Sequence, residues 1–191
     1  MNAENPVRDL EYWVKISRNV QDKYKTWDNE AIKAELLANS LPYSVLMSHV
    51  QGDFNISTVF RNINAFRGRE MFYFGRKKID RRGMVGCQNY GSITYLPTLE
   101  DVKELKERFT FVALEQTVNS VDLYGFDFTK KGEVLLVVGE EGSGICQEIL
   151  DLCDYSVVIP MGGSVRSLNV GTAAGIAMSL IMQQFNNMER K

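Results

Sequence analysis

The sequence predicts an α/β protein in which helices cover both faces of a mostly parallel sheet. Strand-like and helix-like segments alternate along most of the chain, which is the pattern of such a sheet. The run VLLVV at 134–138 is apolar throughout, as in strands buried on both faces. The length of 191 residues suits one domain with a small appendage. We therefore divide the chain into a helical extension at 1–40 and a main domain at 41–191.

The individual elements follow from the apolar periodicity of each segment. In the extension, Asp28 precedes an amphipathic helix that places Ile32, Leu36 and Leu37 on one face. The predicted strands lie at 41–50, 70–75, 92–96, 109–115, 134–138 and 155–160. The predicted helices lie at 55–66, 99–108, 145–153 and 169–185.

Composition excludes several classes of protein. Apolar residues make up 45% of the chain, and 22 Lys and Arg against 24 Asp and Glu give a net charge of −2, which excludes a purely charge-driven nucleic-acid binder. Three scattered cysteines and one histidine favour neither a disulfide framework nor a metal site. The longest apolar stretch, 170–182, is shorter than the ~20 residues that span a bilayer, and the N-terminus lacks a signal-peptide core. We expect a cytoplasmic protein that neither associates with a membrane nor binds a metal ion.

Two loops are candidate ligand sites because they follow predicted strands, and ligands of open α/β sheets bind at the carboxyl ends of strands. The first, GEEGSG at 139–144, has neither the dinucleotide-binding nor the P-loop spacing, so a simple strand-to-helix turn explains it equally well. Its Glu141 has little packing role, which favours contact with a ligand or with a partner residue. The second loop, 161–169, contains Ser167 and Asn169, both of which suit the N-cap of the last helix.

The last predicted helix is rich in small residues, which let another backbone approach closely. They are Gly171, Ala173, Ala174, Gly175 and Ala177. Core packing explains some of them, and a subunit interface is the alternative for the rest.

Two further features concern positive charge. Asn55 and Arg61 lie on one predicted helix, but a separation of six residues keeps them off a common narrow face. A basic stretch at 67–82 stands out on an acidic chain, and attraction to phosphate is the physical reason to concentrate such charge. The alternative for both features is a solvated surface. The candidate nucleic-acid-binding residues in the stretch are Arg76, Lys77, Lys78, Arg81 and Arg82.

Three blocks in one order carry a resemblance to a known family. They are the segment from Asn55 to Arg61, LVVGEEGSGI with Glu141, and IPMGGSVRSLNVGTAAGI with Ser167 and Asn169. Together they resemble the three motifs of the SpoU/TrmH family, the RNA ribose 2′-O-methyltransferases of the SPOUT superfamily. The segment VALEQTVNSVDL at 112–123 also resembles the region before the second motif, so the likeness covers roughly residues 43–185.

The resemblance implies a fold, a cofactor and a set of site residues. The C-terminal part of the sheet would form a deep trefoil knot, the cofactor would be S-adenosyl-L-methionine, and the last helix would join two copies into a homodimer. The implied catalytic residues are Arg61, Asn55, Glu141, Ser167 and Asn169. The implied cofactor-binding residues are Glu115, Gly139, Gly142, Ile159, Met161 and Leu168.

The expected function is methylation of a ribose 2′-hydroxyl in RNA. Transfer RNA is the favoured substrate and ribosomal RNA the first alternative. A SPOUT-like RNA-binding protein without turnover, and an α/β protein that binds NAD or ATP at its glycine turn, are the competing interpretations.

Overall fold

The computed structural model describes residues 18–50, 53–140 and 142–190. Seven strands form one sheet in which every pair of neighbours is parallel. They are β1 (Tyr43–Val50), β2 (Glu70–Gly75), β3 (Ser92–Leu96), β4 (Thr110–Leu114), β5 (Val121–Asp122), β6 (Val134–Val138) and β7 (Tyr155–Val158). Their order across the sheet is β3-β2-β1-β6-β4-β7-β5.

Helices cover both faces of the sheet, as predicted. They are α1 (Asn29–Ala38), α2 (Asp53–Ala65), α3 (Leu99–Glu104), α4 (Gln147–Leu150) and α5 (Val170–Glu189). Strand β6 shows why its sequence is apolar throughout. Val134, Leu136 and Val138 join the core under α2 and α5, whereas Leu135 and Val137 join the core under α3 and α4. Each face of this central strand is therefore covered, and all five of its residues are buried.

The part of the extension that the structure describes packs beside α2. Asp28 caps α1, because its Oδ1 accepts a hydrogen bond of 2.7 Å from the backbone N–H of Ala31. Ile32 is buried against Tyr24 and Tyr90. Leu37, however, is 61% exposed, so the predicted apolar face of this helix is narrower than the sequence suggested. Residues 1–17 of the predicted helical extension lie outside the described residues.

Most predicted elements are confirmed, with two corrections. The helix predicted at 145–153 is only one turn long, because Ile145 still belongs to the glycine loop and the chain turns at 151–153. Strand β5 was not predicted, since two residues are too few to show an alternating pattern.

The parallel arrangement has one consequence for the site. The carboxyl ends of all strands face the same edge of the sheet, which gathers the loops after β4, β6 and β7 together. The loop after β2 leaves from the same edge.

Candidate functional site

A cavity of about 570 Å³ opens at the carboxyl edge, where the loops after β4, β6 and β7 meet. All six residues predicted to bind a cofactor line it, namely Glu115, Gly139, Gly142, Ile159, Met161 and Leu168. Ser167 lines it as well. Its walls combine backbone of the glycine loop with apolar side chains from the loop after β7, which is a common composition for small-molecule sites.

The side chain of Glu115 fixes the glycine loop to the end of β4. One carboxylate oxygen of Glu115 accepts a hydrogen bond of 3.1 Å from the backbone N–H of Ile145. The other oxygen accepts one of 2.9 Å from the N–H of Gln116. The carboxylate is therefore held in place by backbone donors on two of the three loops.

Two glycines of this loop, Gly139 and Gly144, are required by its shape. Glu140 and Gly144 exchange two backbone hydrogen bonds of 3.0 Å, which closes the loop on itself. A Cβ atom on Gly139 would lie 2.2 Å from the carbonyl carbon of Gly144, so no side chain fits there. Gly144 has a φ of +69°, and a Cβ atom on it would lie 2.5 Å from the Glu115 carboxylate. The strand-to-helix turn considered from the sequence is thus a closed, specific loop.

Hydroxyl groups shape the loop after β4. Ser120 Oγ donates to the carbonyl of Glu115 at 2.8 Å and accepts from the N–H of Thr117 at 2.8 Å. It also lies 2.8 Å from Ser156 Oγ, on β7. These contacts hold the Glu115 backbone against the neighbouring strand.

Asn169 joins the start of α5 to α2. Its Oδ1 accepts a hydrogen bond of 3.1 Å from the N–H of Thr172 and so caps α5, while its Nδ2 donates to Asn55 Oδ1 at 3.0 Å. Of the two candidate caps in the sequence, Asn169 takes this role. The pairing of two residues 114 positions apart brings the first and third sequence blocks together.

The small residues of α5 serve packing within the chain at two positions. A Cβ atom on Gly171 would lie 2.7 Å from Thr58 on α2, and one on Gly175 would lie 3.0 Å from Asn62. Asn62 Nδ2 also donates to the carbonyl of Gly171 at 3.0 Å. Close contact between the two helices therefore explains these glycines, and Ala174 and Ala177 are buried in the core.

Arg61 does not line the cavity of Glu115. It lies on the part of α2 that faces the extension, where it lines a second cavity of about 720 Å³ together with Cys87 and Tyr90. Burial raises the pKa of the Cys87 thiol, and the positive charge of Arg61 opposes that rise. Thus Arg61 lines the second cavity, whereas Asn55 contacts Asn169 at the start of α5, in agreement with the six-residue separation.

The predicted RNA-binding residues lie on an exposed segment that follows β2, which we call the basic loop (residues 76–82). Arg82 is partly neutralised there, because its guanidinium binds both carboxylate oxygens of Asp80. These hydrogen bonds lower the pKa of Asp80 to about 2. The loop packs against α2, where Ser57 Oγ donates to the carbonyl of Asp80 at 3.3 Å. Burial raises the pKa of Tyr73, whose hydroxyl donates to the Lys77 carbonyl, while Arg81 opposes the rise.

Gly144 and Arg166 are among the cavity residues that were not singled out from the sequence. Gly144 could have been recognised as the third glycine of the GEEGSG segment, since a glycine at the end of a tight turn often takes a positive φ. Arg166 lines the cavity from the loop after β7, and no sequence signal separates it from an ordinary surface arginine. Glu141 lies outside the described residues, so its predicted role has no structural counterpart here.

Other classes of site are absent from the parts of the chain that the structure describes. Within residues 18–50, 53–140 and 142–190, no cluster of His, Cys, Asp and Glu is able to hold a metal ion. Over the same ranges, no helix has both the length and the apolarity to cross a membrane.

A fully parallel sheet with helices on both faces and a loop-lined cavity at its carboxyl edge defines the class as an α/β protein. Within that class, the chain belongs to the SpoU rRNA Methylase family, whose model matches residues 42–179. The tRNA (guanosine(18)-2′-O)-methyltransferase of Aquifex aeolicus is 32% identical to the chain over 140 residues, which is 70% of the chain. The chain spans 65% of the length of that relative.

Solved structures agree with this assignment. The A. aeolicus TrmH/SpoU tRNA modifying enzyme has a TM-score of 0.74 and 26% identity, with 84% of each chain covered. The SpoU methyltransferase AviRb from Streptomyces viridochromogenes, solved in complex with AdoMet, has a TM-score of 0.67 and 23% identity. That match covers 78% of this chain and 62% of AviRb, and it supports the fold.

Proposed function

We propose that the protein transfers a methyl group from S-adenosylmethionine to a ribose 2′-hydroxyl in RNA, with transfer RNA as the favoured substrate. The observation that carries the proposal is the single cavity in which all six predicted cofactor-binding residues meet. That cavity opens at the same sheet edge as the basic loop, so a donor and a polyanion would meet there.

The residues present fit this cofactor. A volume of about 570 Å³ lies within the usual range of roughly 300–1,000 Å³ for small-molecule sites. Ile159, Met161 and Leu168 offer apolar surface to an adenine ring, and the glycine loop offers backbone groups at close range. Glu115 would support that loop. When bound, S-adenosylmethionine supplies an electrophilic methyl group on a sulfonium ion.

Arg61 is the proposed catalytic cation. A guanidinium keeps its proton at ordinary pH, so Arg61 is unsuited to act as a free base. It would instead bind the phosphate beside the target ribose and stabilise negative charge that develops on the 2′-oxygen. The phosphate or Glu141 would accept the proton. Because Arg61 lines the second cavity and Asn55 contacts Asn169 instead, the RNA backbone would have to extend along α2 to reach both residues.

Asn55, Asn169 and Ser167 would orient the ribose. The hydrogen bond between Asn55 and Asn169 fixes the start of α2 beside the start of α5, and Ser167 lies on the cavity wall two residues earlier. Positioning of this kind can supply roughly 7–11 kcal/mol of a reaction barrier in well-oriented systems.

The C-terminal trefoil knot is also part of the proposal. Strand β7 lies between β4 and β5, which follow one another along the chain. The last strand therefore enters the sheet between two strands that the segment 115–120 already connects along the chain. This arrangement supports threading of the chain end, although deep knots are rare in proteins.

We further propose a homodimer joined through α5. A groove of about 580 Å³ runs between α2 and α5. Its wall includes Tyr124, Ile176 and Leu180, and Tyr124 is 58% exposed. The division of the chain at residue 40 and a cytoplasmic location likewise remain proposals.

Ribosomal RNA is the second candidate substrate, because the family's own description refers to rRNA methylation. The decisive experiment maps 2′-O-methylated nucleotides in total cellular RNA with and without the gene, and then repeats the reaction with purified protein and S-adenosylmethionine. We expect one site to disappear, in tRNA rather than in rRNA. If every site persists and no methyl group is transferred in vitro, the protein is a non-catalytic RNA binder.

A further inference from the structure

The cavity beside Glu115 has charged side chains in its wall as well as apolar ones. Among the described residues that line it, three carry charge, namely Glu115, Glu140 and Arg166. Both carboxylate oxygens of Glu115 accept hydrogen bonds from backbone N–H groups, so this side chain already serves to hold the loops. Of the three, Glu140 and Arg166 are therefore the ones left to bind a ligand.

Glu140 and Arg166 come from different loops and do not neutralise each other. Glu140 belongs to the glycine loop after β6, and its carboxylate accepts a hydrogen bond of 3.2 Å from Ser143 Oγ. Arg166 is exposed on the loop after β7 and has no hydrogen bond or ion pair with any other described residue. One cavity thus offers a carboxylate and a guanidinium to the same ligand.

The charges of S-adenosylmethionine match those of this wall. Its amino-acid end carries an ammonium and a carboxylate on one carbon atom, and its sulfonium adds a second positive charge. A phosphate fits less well, because the two carboxylates that line the cavity would repel it. The basic loop suits a polyanion better, since it contains five cations and a single carboxylate, that of Asp80.

We propose that Arg166 binds the carboxylate, and Glu140 the ammonium, of the amino-acid end of S-adenosylmethionine. A guanidinium presents paired N–H donors to a carboxylate, and an ammonium donates to a carboxylate oxygen. The two side chains then select a ligand with an intact amino acid over a plain adenosine derivative. This inference rests on the proposed function, because it assigns one end of the proposed cofactor.

The test compares three ligands by calorimetry on the full-length protein. S-adenosylmethionine has both charged groups of the amino acid, decarboxylated S-adenosylmethionine keeps only the ammonium, and 5′-methylthioadenosine has neither. The variants are Arg166→Gln and Glu140→Gln. The second leaves the closed turn intact, because the hydrogen bonds between Glu140 and Gly144 join backbone atoms. Arg190→Gln is the matched control, since Arg190 is exposed at the end of α5 and does not line this cavity.

Each variant should lose affinity only for the ligands that carry its partner group. Arg166→Gln should bind S-adenosylmethionine about tenfold more weakly, as for the loss of one charge-assisted hydrogen bond, and should bind the other two ligands like wild type. Glu140→Gln should bind both ligands that carry the ammonium more weakly, by a similar factor. Unchanged affinity for 5′-methylthioadenosine shows that the cavity is intact in both variants. Arg190→Gln should behave as wild type with all three ligands.

Two results would overturn the proposal. Wild-type affinity for S-adenosylmethionine in both variants would mean that neither side chain binds the amino acid. An equal loss for all three ligands would mean that the side chains only shape the cavity. Binding of a fluorescein-labelled single-stranded oligoribonucleotide, followed by anisotropy, tests the other anion: if Arg166→Gln weakens RNA binding but not S-adenosylmethionine binding, Arg166 contacts phosphate and its assignment is wrong.

A methylation assay on the wild-type protein separates this proposal from the proposed function. If wild-type protein methylates RNA but both variants bind S-adenosylmethionine like the control, the two contacts are wrong and the function stands. If the variants show the expected ligand pattern but wild-type protein methylates no RNA, the contacts stand and the function is wrong.

Discussion

The two cavities differ in how their walls are built. The cavity of Glu115 is made of loops that are already bonded to one another, through the Glu115 carboxylate and the closed turn between Glu140 and Gly144. The cavity of Arg61 lies between the extension and α2. Two cations that line it, Lys33 and Arg61, have no hydrogen bond or ion pair with another described residue. The first is therefore preorganised for a small ligand, whereas the second has charge available for a polyanion.

The largest effect is expected at Arg61. Arg61→Ala should lower methyl transfer on the order of 10²–10³-fold or more, as for loss of one group that stabilises developing charge. Arg61→Lys should not restore activity, because an ammonium lacks the planar fork of a guanidinium. Affinity for S-adenosylmethionine should stay unchanged in both, since Arg61 lines the other cavity. Rates from single-turnover assays and calorimetry check this, and wild-type turnover in either variant would refute the role.

The next effect concerns the preorganised loop. Gly144→Ala places a side chain at a φ of +69° and against the Glu115 carboxylate. The left-handed conformation alone costs about 1–2 kcal/mol for a residue other than glycine. We expect at least tenfold weaker binding of S-adenosylmethionine by calorimetry. Gly125→Ala is the control, because a Cβ atom there meets nothing within 4 Å. Equal cofactor affinity in the two variants would contradict the role of the closed turn.

Neutralising the basic loop should lower the affinity for RNA and no other measured property. The variant replaces Arg76, Lys77, Lys78, Arg81 and Arg82 with glutamine. Each phosphate contact that is lost lowers the salt slope by about 0.7–0.9, so RNA binding should weaken and become less sensitive to salt. Cofactor affinity should not change. A salt slope equal to that of wild type would mean that these charges form only a solvated surface.

A smaller effect, of opposite sign, is expected at Asp80. Asp80→Asn releases Arg82 from its carboxylate partner and should strengthen RNA binding slightly. The pKa of Asp80 is lowered to about 2, so the carboxylate is ionised, and the pair present, above the ordinary carboxyl range near 4. Its contribution is lost only as the pH falls toward 2. The gain should therefore be constant between about pH 5 and pH 9, and a gain that varies over that range would contradict the assignment.

Much of the sheet and of the cavity beside Glu115 could be predicted from the sequence. Alternating segments and the fully apolar β6 indicated parallel strands, and that arrangement alone brings loops after different strands to one edge. The six residues predicted to bind a cofactor came from a family resemblance, and the structure places all of them around one cavity.

Other features could not be predicted because they depend on contacts between distant segments. No local pattern shows that Asn169 forms a hydrogen bond with Asn55. Nor does a local pattern show that Thr58 of α2 packs against Gly171, or that Asn62 packs against Gly175. Likewise, the periodicity of α1 placed Leu37 on its buried face, but the extension packs along a narrower strip. The cavity beside Arg61 exists only because that extension folds back on the domain.

The position of β7 has a consequence for biosynthesis. Strand β5 joins the sheet only through β7, although it leaves the ribosome more than thirty residues earlier. Until residues 155–158 emerge, β5 has no strand to pair with and the loop after β4 has no neighbour on its outer side. A chain that stops before residue 155 would therefore lack the wall of the Glu115 cavity that β7 and its following loop provide, so this cavity forms only after β7 has been synthesised.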